Sequence, residues 1–267
     1  MTAAECVIIN TVFPTIFTNP APGCCSLYPK QLTCNAQGNI ISICLAGDIC
    51  APIVALPDNC NQLTGLTCLK TLKINKFKLD NCKLVDHLFD LPLTLLDLSD
   101  NGLTGSIPSS VGSFAGDTLD LSKNNFEGTI PDAILNSAST VSLAENSFTG
   151  PLPAWPQKSR TTVLDVSYNY ITGMIPANYL SKLTDLDITS NFLYGPAPTV
   201  SKKHTLERDE NCFDDQTLKS KKLPRNSDCC DSGNLGDDRN CGDCGIACKK
   251  KSFCLNNDHC GKKPKAR

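Results

Sequence analysis

Histidine and tryptophan are scarce in this chain, whose 267 residues include three histidines and one tryptophan. The histidines, His87, His204 and His259, lie far apart, and none belongs to a repeated or paired motif. The sequence also has no nucleophile elbow, no phosphate-binding loop and no histidine–carboxylate zinc pattern. These absences predict a protein that is not an enzyme and that carries no cofactor.

Long apolar runs are missing as well. No stretch approaches the about 18 consecutive apolar residues of a membrane-spanning helix, so we expect no membrane span in this chain. The first residues have no basic start, and Asn10 and Pro14 interrupt the apolar stretch that follows. A secretory leader needs a basic start and an uninterrupted apolar stretch. We therefore expect a mature chain whose leader has been removed, with Met1 as an added start residue.

Cysteine is absent from the middle of the chain and dense at both ends. Nine of the 17 cysteines precede Lys83, eight follow Glu210, and none lies between. This density is typical of proteins from oxidising compartments, so the sequence predicts a secreted, extracellular protein. Because the total is odd, one thiol stays unpaired or forms an intermolecular bridge.

The cysteine-free middle is periodic. Five asparagines recur there every 22 or 23 residues, with apolar residues five and three positions before each of them. A glycine follows four positions after each asparagine, and a proline follows seven positions after it. The asparagines are Asn101, Asn124, Asn146, Asn169 and Asn191. A fixed period of this length with this apolar pattern predicts leucine-rich repeats.

Each repeat is too small to bury its own apolar face, so neighbouring repeats must stack and share one core. The two apolar residues before each asparagine lie two positions apart, which on a short strand points both inward. The strands then pair into one parallel sheet. At the end of each strand the asparagine amide can bond backbone groups of its own and the adjacent turn, which predicts a ladder of buried asparagines.

The segment LTLLDLSDNGLTGSIP, from Leu93 to Pro108, resembles the plant-type leucine-rich repeat. That class includes polygalacturonase-inhibiting proteins and the extracellular domains of receptor-like kinases and receptor-like proteins. The resemblance covers roughly residues 24 to 200. It implies an α/β-class solenoid, coiled right-handed, with one parallel β-sheet on the concave face and disulfide-rich caps at both ends. For the N-terminal cap it implies that Cys6 pairs with Cys24 and Cys25 with Cys34.

These patterns divide the chain into four parts. Residues 1–39 form a Cys-rich cap, 40–200 the solenoid, 201–228 a connector, and 229–267 a small Cys-rich module with a basic tail. We expect about seven coils. The first two are degenerate, with Asp48 and Phe77 in the asparagine position.

The C-terminal module has two interpretations. Its cysteines follow a zinc-like spacing, at Cys241, Cys244, Cys248, Cys254 and Cys260. In a secreted chain disulfides explain the same residues, so we predict disulfides and no metal. The tail after residue 260 is basic and suits anionic wall polysaccharide or membrane lipid, or it is simply a solvated end. No nucleic-acid-binding motif is present, so no nucleic-acid partner is expected.

Two sets of outward-facing residues are candidate ligand contacts. The first, called the acid column below, stands on successive strands and comprises Asp97, Asp120, Asp165 and Asp187. Like charges at strand spacing repel one another, which suggests a binding function. The alternative is that each carboxylate bonds the Ser or Thr two residues further on.

The second set is called the aromatic patch and flanks the last two asparagines, where earlier repeats have polar residues or glycine. It comprises Tyr168, Tyr170, Phe192 and Tyr194, which we expect on the concave face or its rim. Exposed aromatic residues on a rigid surface are typical interface anchors. The alternative is that they cover the junction with the C-terminal cap. Trp155 is assigned to packing on the return path.

The sequence thus predicts a secreted leucine-rich-repeat protein that binds an extracellular protein or peptide through its concave face, possible roles being hydrolase inhibition or recognition. Two alternatives remain at this point. One is a structural protein associated with cell-wall carbohydrate, and the other is the ectodomain of a membrane receptor.

Overall fold

The computed structural model describes residues 3–13, 17, 23–46, 65–75, 86–196, 204–208, 211–213, 252–255 and 259–262. Within these residues the chain forms a nine-stranded main sheet and a six-stranded second sheet. The first pair of strands in the main sheet is antiparallel, and all later neighbours in both sheets are parallel. The predicted solenoid with its parallel sheet is confirmed.

The strands of the main sheet follow one another in chain order. Their bounds are Leu32–Cys34, Ile40–Ala46, Thr71–Asn75, Leu95–Asp97, Thr118–Asp120, Thr140–Ser142, Val163–Asp165, Asp185–Asp187 and Thr205–Glu207. In the two degenerate repeats the predicted inward residues Ile43, Leu45, Leu72 and Ile74 are all buried. The predicted frame therefore holds there, although Asp48 and Phe77 lie outside the described residues.

The second sheet is an addition to the predicted architecture, which treated these segments only as a return path. Its strands are Thr104–Gly105, Asn125–Gly128, Ser147–Pro151, Tyr170–Gly173, Phe192–Gly195 and Cys212–Phe213. The glycine four positions after each predicted asparagine has a φ between 75° and 89°. Glycine adopts this left-handed region without steric cost. The same turn therefore recurs in every coil and brings equivalent segments into register for pairing.

The asparagine ladder is confirmed. Each side-chain amide group donates to the carbonyl three positions earlier in its own coil and to the equivalent carbonyl of the preceding coil. For Asn124 these acceptors are Leu121 O at 3.0 Å and Leu98 O at 2.9 Å, and Asn124 Oδ1 accepts from Leu103 N at 3.0 Å. All five predicted asparagines are buried. The ladder therefore satisfies backbone groups that water does not reach.

Short helices lie on the return segments between the sheets. Turns of 3₁₀-helix span Asp86–Asp90, Ser109–Ser113 and Asp132–Asn136, and an α-helical turn spans Tyr179–Lys182. Apolar residues of these segments close the side of the core that faces away from the main sheet. The coil between the last two helices has none at this position.

The N-terminal cap is built from the helix Ala3–Val12 and the helical turn Cys24–Leu27. Disulfides join Cys6 to Cys24 and Cys25 to Cys34, with Cα–Cα distances of 5.7 and 6.2 Å, which is the pairing implied by the resemblance. Cys44 and Cys68 form no disulfide with another described cysteine. Glu5 is buried and accepts a 2.9 Å hydrogen bond from the backbone N–H of Ile40, so it ties the cap to the first parallel strand.

At the other end the repeat continues past the predicted boundary at residue 200. Asn211 donates to Ile188 O at 2.8 Å and to Arg208 O at 3.1 Å, and its Oδ1 accepts from Leu193 N at 3.1 Å. These are ladder contacts, so Asn211 is a sixth member. Removing the antiparallel edge strand from the nine leaves eight parallel strands, one more than the predicted seven coils.

The C-terminal module is described only as the antiparallel hairpin Ser252–Leu255 and His259–Lys262. Cys254 and Cys260 face each other in its register. Cys241, Cys244 and Cys248 lie outside the described residues. The assignment of these five cysteines to disulfides rather than zinc stays a prediction.

Candidate functional site

The acid column lies on the main sheet, as predicted. Asp97 pairs in register with Asp120, and Asp165 pairs with Asp187, while Ser142 takes the place between them. All four carboxylates are half-buried. Neighbouring strands in a sheet lie about 4.8 Å apart, so the acids form two adjacent pairs in one row, separated by Ser142.

The column also contributes to the scaffold. Asp120 Oδ1 accepts from Ser122 N at 3.0 Å and from Ser122 Oγ at 2.7 Å. Equivalent bonds join Asp97 to Ser99 and Asp165 to Ser167, and Asp187 accepts from the backbone N–H of Thr189 at 2.9 Å. The hydroxyl bonding considered as the alternative is therefore present at Asp97, Asp120 and Asp165, and a backbone N–H holds one oxygen of each of the four acids at the strand end.

The column is longer than the sequence indicated. Glu207 pairs in register with Asp187 of the neighbouring strand. Asp185 lies two positions before Asp187 and points to the same outward side of that strand. Glu207 escaped prediction because it follows residue 200, where the repeat was taken to end. The C-terminal end of the main sheet therefore carries the densest negative charge among the described strands.

Asp165 lies within this charged end. Burial raises the pKa of the Asp165 carboxyl, the hydrogen bonds from Ser167 lower it, and repulsion from Asp187 and Asp120 raises it again. The net direction is upward. Since the folded-state pKa exceeds the unfolded one, the proton binds more tightly in the folded protein. The resulting stabilisation is complete below the unfolded pKa, about pH 4, and is lost as pH rises through the folded-state value.

We therefore expect Asp165→Asn to be more stable than the wild type at neutral pH and to lose that advantage near pH 3. Asparagine keeps the Oδ1 acceptor for Ser167 but carries no charge. The expected gain is below about 1 kcal/mol because the site is half-exposed. Chemical denaturation of both proteins across this pH range measures the gap, with the exposed Asp117→Asn as the charge-loss control. A difference in unfolding free energy that does not change with pH would contradict a raised pKa at Asp165.

The structure places the aromatic patch differently from the prediction. Tyr170, Phe192 and Tyr194 belong to strands of the second sheet rather than to the concave main sheet. Tyr168 lies at the corner just before that sheet. Three of the four residues therefore project from a sheet that the sequence did not predict, and the two candidate sets occupy different sheets of the same coils.

The patch is partly stacked and partly open to solvent. Tyr170 and Phe192 occupy equivalent positions in successive coils and stack with ring centroids 6.1 Å apart at 11°. Tyr168 and Tyr170 are 56% and 54% exposed, whereas Phe192 and Tyr194 are half-buried. Met174 is 59% exposed and lies against Gly195 of the following coil. The approach is close: a Cβ added to Gly195 would lie 3.0 Å from Met174 Cγ. Met174 extends the patch and was not predicted.

The backbone at Tyr168 is unusual for an aromatic residue. Its φ is 55°, in the left-handed region, and the residue before each of the other four predicted asparagines has the same conformation. The fold therefore imposes this conformation on every coil. Asparagine, aspartate and glycine adopt it most readily, and a bulky side chain does so at a cost. Tyrosine at 168 is thus not explained by backbone preference.

Comparisons with known proteins agree with this geometry. The family model described as Leucine Rich Repeat matches residues 92–114 and 117–137. No curated protein matches the sequence. The described helices are all too short or too polar to span a lipid bilayer.

Three solved structures show the same fold. PEPR1 with AtPEP1 has a TM-score of 0.59 at 22% identity, covering 79% of this chain and 35% of that one. The leucine-rich-repeat ectodomain of the Arabidopsis receptor kinase HAESA, in complex with an N-terminally extended IDA peptide hormone, has a TM-score of 0.54 at 24% identity, covering 78% and 41%. A plant ice-binding protein has a TM-score of 0.53 at 21% identity, covering 79% and 86%.

The chain thus spans less than half the length of the PEPR1 and HAESA chains. Matched repeats, a continuous asparagine ladder and parallel strands in register all describe one architecture. The chain contains leucine-rich repeats and folds as a leucine-rich-repeat solenoid of the kind seen in plant receptor ectodomains.

Proposed function

We propose that this protein is a secreted recognition protein that binds an extracellular protein or peptide and has no catalytic activity of its own. The observation that supports this most is the exposed part of the aromatic patch, Tyr168 and Tyr170, which flank Asn169 in one coil. Tyrosines give large contact area at low entropic cost, and each can contribute about 2 kcal/mol or more when a partner buries it.

The acid column supports the same proposal from the neighbouring sheet. Tyr168 and Tyr170 follow Asp165 within one coil, so a ligand that covers the tyrosines also meets carboxylates. Complementary charge raises the association rate and fixes the orientation of a ligand. We therefore propose a ligand with apolar side chains for the patch and basic side chains for the column.

Two further points favour an extracellular peptide or protein ligand. The disulfides Cys6–Cys24 and Cys25–Cys34 suit an oxidising compartment. One solved structure with this fold, the HAESA ectodomain with an IDA peptide hormone, contains a peptide. Inhibition of a secreted hydrolase remains one form that such binding could take, and a hydrolase among the captured partners would identify it.

The first experiment uses the oxidised protein as bait in secreted-protein and cell-wall extracts, with mass spectrometry of what it retains. The proposal expects a protein or peptide partner that is captured by the wild type and lost in Tyr170→Ala. Asn125→Ala is the matched control, because Asn125 occupies the equivalent position two coils earlier and is exposed. Capture of wall polysaccharide alone, or equal capture by all three proteins, would refute the proposal.

Tyr168→Asn gives a sharper prediction because it separates stability from binding. Asparagine relieves the left-handed strain, so the free energy of unfolding is expected to rise by about 0.5–1 kcal/mol. Binding of the captured partner is nevertheless expected to weaken by about tenfold or more, since an interface anchor is lost. Denaturation and titration calorimetry measure the two effects. A variant that is more stable and binds normally would remove Tyr168 from the interface.

A further inference from the structure

The coil that contains Trp155 lacks the return helix of its neighbours. The helices Asp132–Asn136 and Tyr179–Lys182 lie on the coils before and after it, whereas residues 152–162 form none. Prolines stand two positions before Trp155 and one after it. Pro153 is the regular proline of the repeat, which in other coils directly precedes a return helix, so Pro156 is the addition. Proline removes a backbone donor and disfavours helical geometry in the residue before it, which here is Trp155, so Pro156 disfavours a helix at this position.

The missing helix leaves a cleft of about 640 Å³ between the return segments of three successive coils. Its walls include Asp132, Pro151, Pro153, Trp155, Pro176 and Asn178. Small-molecule and side-chain pockets are usually of this size and, like this one, have apolar walls with a few polar groups. No residue of the acid column or of the aromatic patch lines the cleft.

Hydrogen bonds between coils fix the walls of the cleft. Asp132 Oδ1 accepts from the backbone N–H of Ala154 at 2.7 Å, and the buried Tyr179 hydroxyl donates to Pro153 O at 2.5 Å. Trp155 packs edge-on against Tyr179 at 5.0 Å and 76°. Burial and the negative charge of Asp132 both raise the pKa of Tyr179, so its hydroxyl stays a donor at physiological pH. The site is thus preformed.

Among the described residues, no lysine or arginine pairs with the exposed carboxylate of Asp132. The ion pair in the described part of the chain joins Lys123 to Glu145. Trp155 and Asp132 line the same cleft, and an indole and a carboxylate that face one cleft both attract a cation, through the aromatic face and the negative charge. A planar guanidinium suits this pair better than an ammonium, since it stacks on an aromatic ring and bonds a carboxylate through parallel N–H groups.

We infer that the cleft around Trp155 and Asp132 binds an arginine side chain of an extended, proline-compatible peptide segment. The guanidinium stacks on Trp155 and donates to Asp132, with Asn178 at the mouth as a further acceptor. The prolines of the wall cover the aliphatic part of the side chain. This site does not depend on the proposed function of the aromatic patch, and it would give the solenoid a second contact with a partner.

Trp155 is itself the reporter for the test, because it is the single tryptophan of the sequence. The probe is acetyl-Pro-Arg-Pro-amide, and the matched control peptide carries citrulline, which has the shape of arginine without its charge. We expect the arginine peptide to change Trp155 fluorescence saturably. The citrulline peptide is expected to bind about tenfold more weakly or not at all, and added salt to weaken the arginine peptide.

Asp132→Asn tests the carboxylate while keeping the acceptor for Ala154. It is expected to weaken the arginine peptide by about fivefold or more, whereas Asp117→Asn leaves affinity unchanged. Trp155→Leu removes the fluorescent reporter, so its binding is measured by calorimetry. We expect no binding of the arginine peptide, with an unaltered circular dichroism spectrum showing that the variant is folded. Equal affinity for both peptides, or full affinity in Asp132→Asn, would overturn the inference. A glucosamine oligomer is the third probe. If it changes Trp155 fluorescence and neither peptide does, the inference is overturned and the cleft is an amino-sugar site.

Discussion

Replacing Asn146 by alanine is expected to lower the free energy of unfolding by about 3–5 kcal/mol. The Asn146 amide donates to Leu121 O at 3.0 Å and to Leu143 O at 3.1 Å, and its Oδ1 accepts from Phe126 N at 3.0 Å. All of these contacts are buried. Alanine leaves the Phe126 N–H without its acceptor, whereas Leu121 O and Leu143 O each lose one amide donor and keep the other, from Asn124 and Asn169. The unpaired N–H costs about 1–3 kcal/mol, and each further lost hydrogen bond costs about 0.5–1.5 kcal/mol.

Guanidinium denaturation measures this loss against Asn125→Ala. Asn125 lies one position after a ladder asparagine but is exposed, so its replacement should change stability by no more than about 0.5 kcal/mol. Because a solenoid can unfold coil by coil, hydrogen exchange of the Phe126 amide should show where the loss occurs. Similar losses for both variants would mean that the ladder contributes little beyond the side-chain contacts.

Phe148→Ala is expected to cost about 3–5 kcal/mol as well, for a different reason. Phe148 is fully buried and stacks on Phe126 of the preceding coil, with centroids 6.2 Å apart at 13°. Alanine would leave a cavity between two coils that cannot close, because the sheets on either side hold the coils apart. Thermal and denaturant unfolding of the purified variant gives the loss.

The repeat itself supplies the control for this prediction. Other coils have Leu103 and Leu193 at the same position, both buried. Phe148→Leu should therefore fit the coil and cost only about 1–2 kcal/mol, since it loses the ring but leaves a smaller void. A leucine variant as unstable as the alanine variant would show that ring stacking, rather than filled volume, stabilises this pair of coils.

The acid column has a consequence for the design of binding variants. Each of its carboxylates accepts a backbone N–H from the residue two positions later, so alanine would disturb the strand end as well as the surface. Asparagine keeps the acceptor and removes only the charge. Asp→Asn variants therefore separate the contribution of the column to ligand binding from its contribution to the scaffold.

Much of the scaffold was accessible from sequence because it rests on repetition. The inward residues of the strands, the asparagine ladder and the degenerate coils at Ile43 and Leu72 all followed from one spacing rule. Asn211 was missed since it comes 20 residues after Asn191, has Arg208 where other coils have an apolar residue, and lacks the following glycine and proline. Its ladder bonds became evident only from the positions of Ile188 and Leu193.

The candidate site was less accessible. The sequence identified the acids and aromatics by their departure from the repeat, and the structure keeps the acids on the main sheet where they were expected. It moves the aromatics to the second sheet, because the left-handed glycine turns bring equivalent segments into register and let them pair. Met174 joins the patch through a contact with the following coil, which no local pattern reveals.

By itself the sequence determined that this protein is a stacked solenoid with cysteine-rich ends, since period, apolar spacing and buried amides are local properties repeated in each coil. Tertiary structure alone decided which surfaces exist. The second sheet, the division of the candidate residues between two sheets and the cleft at Trp155 all depend on contacts between two or three successive coils. A spacing rule describes one coil at a time, and a surface is formed only when the coils are stacked.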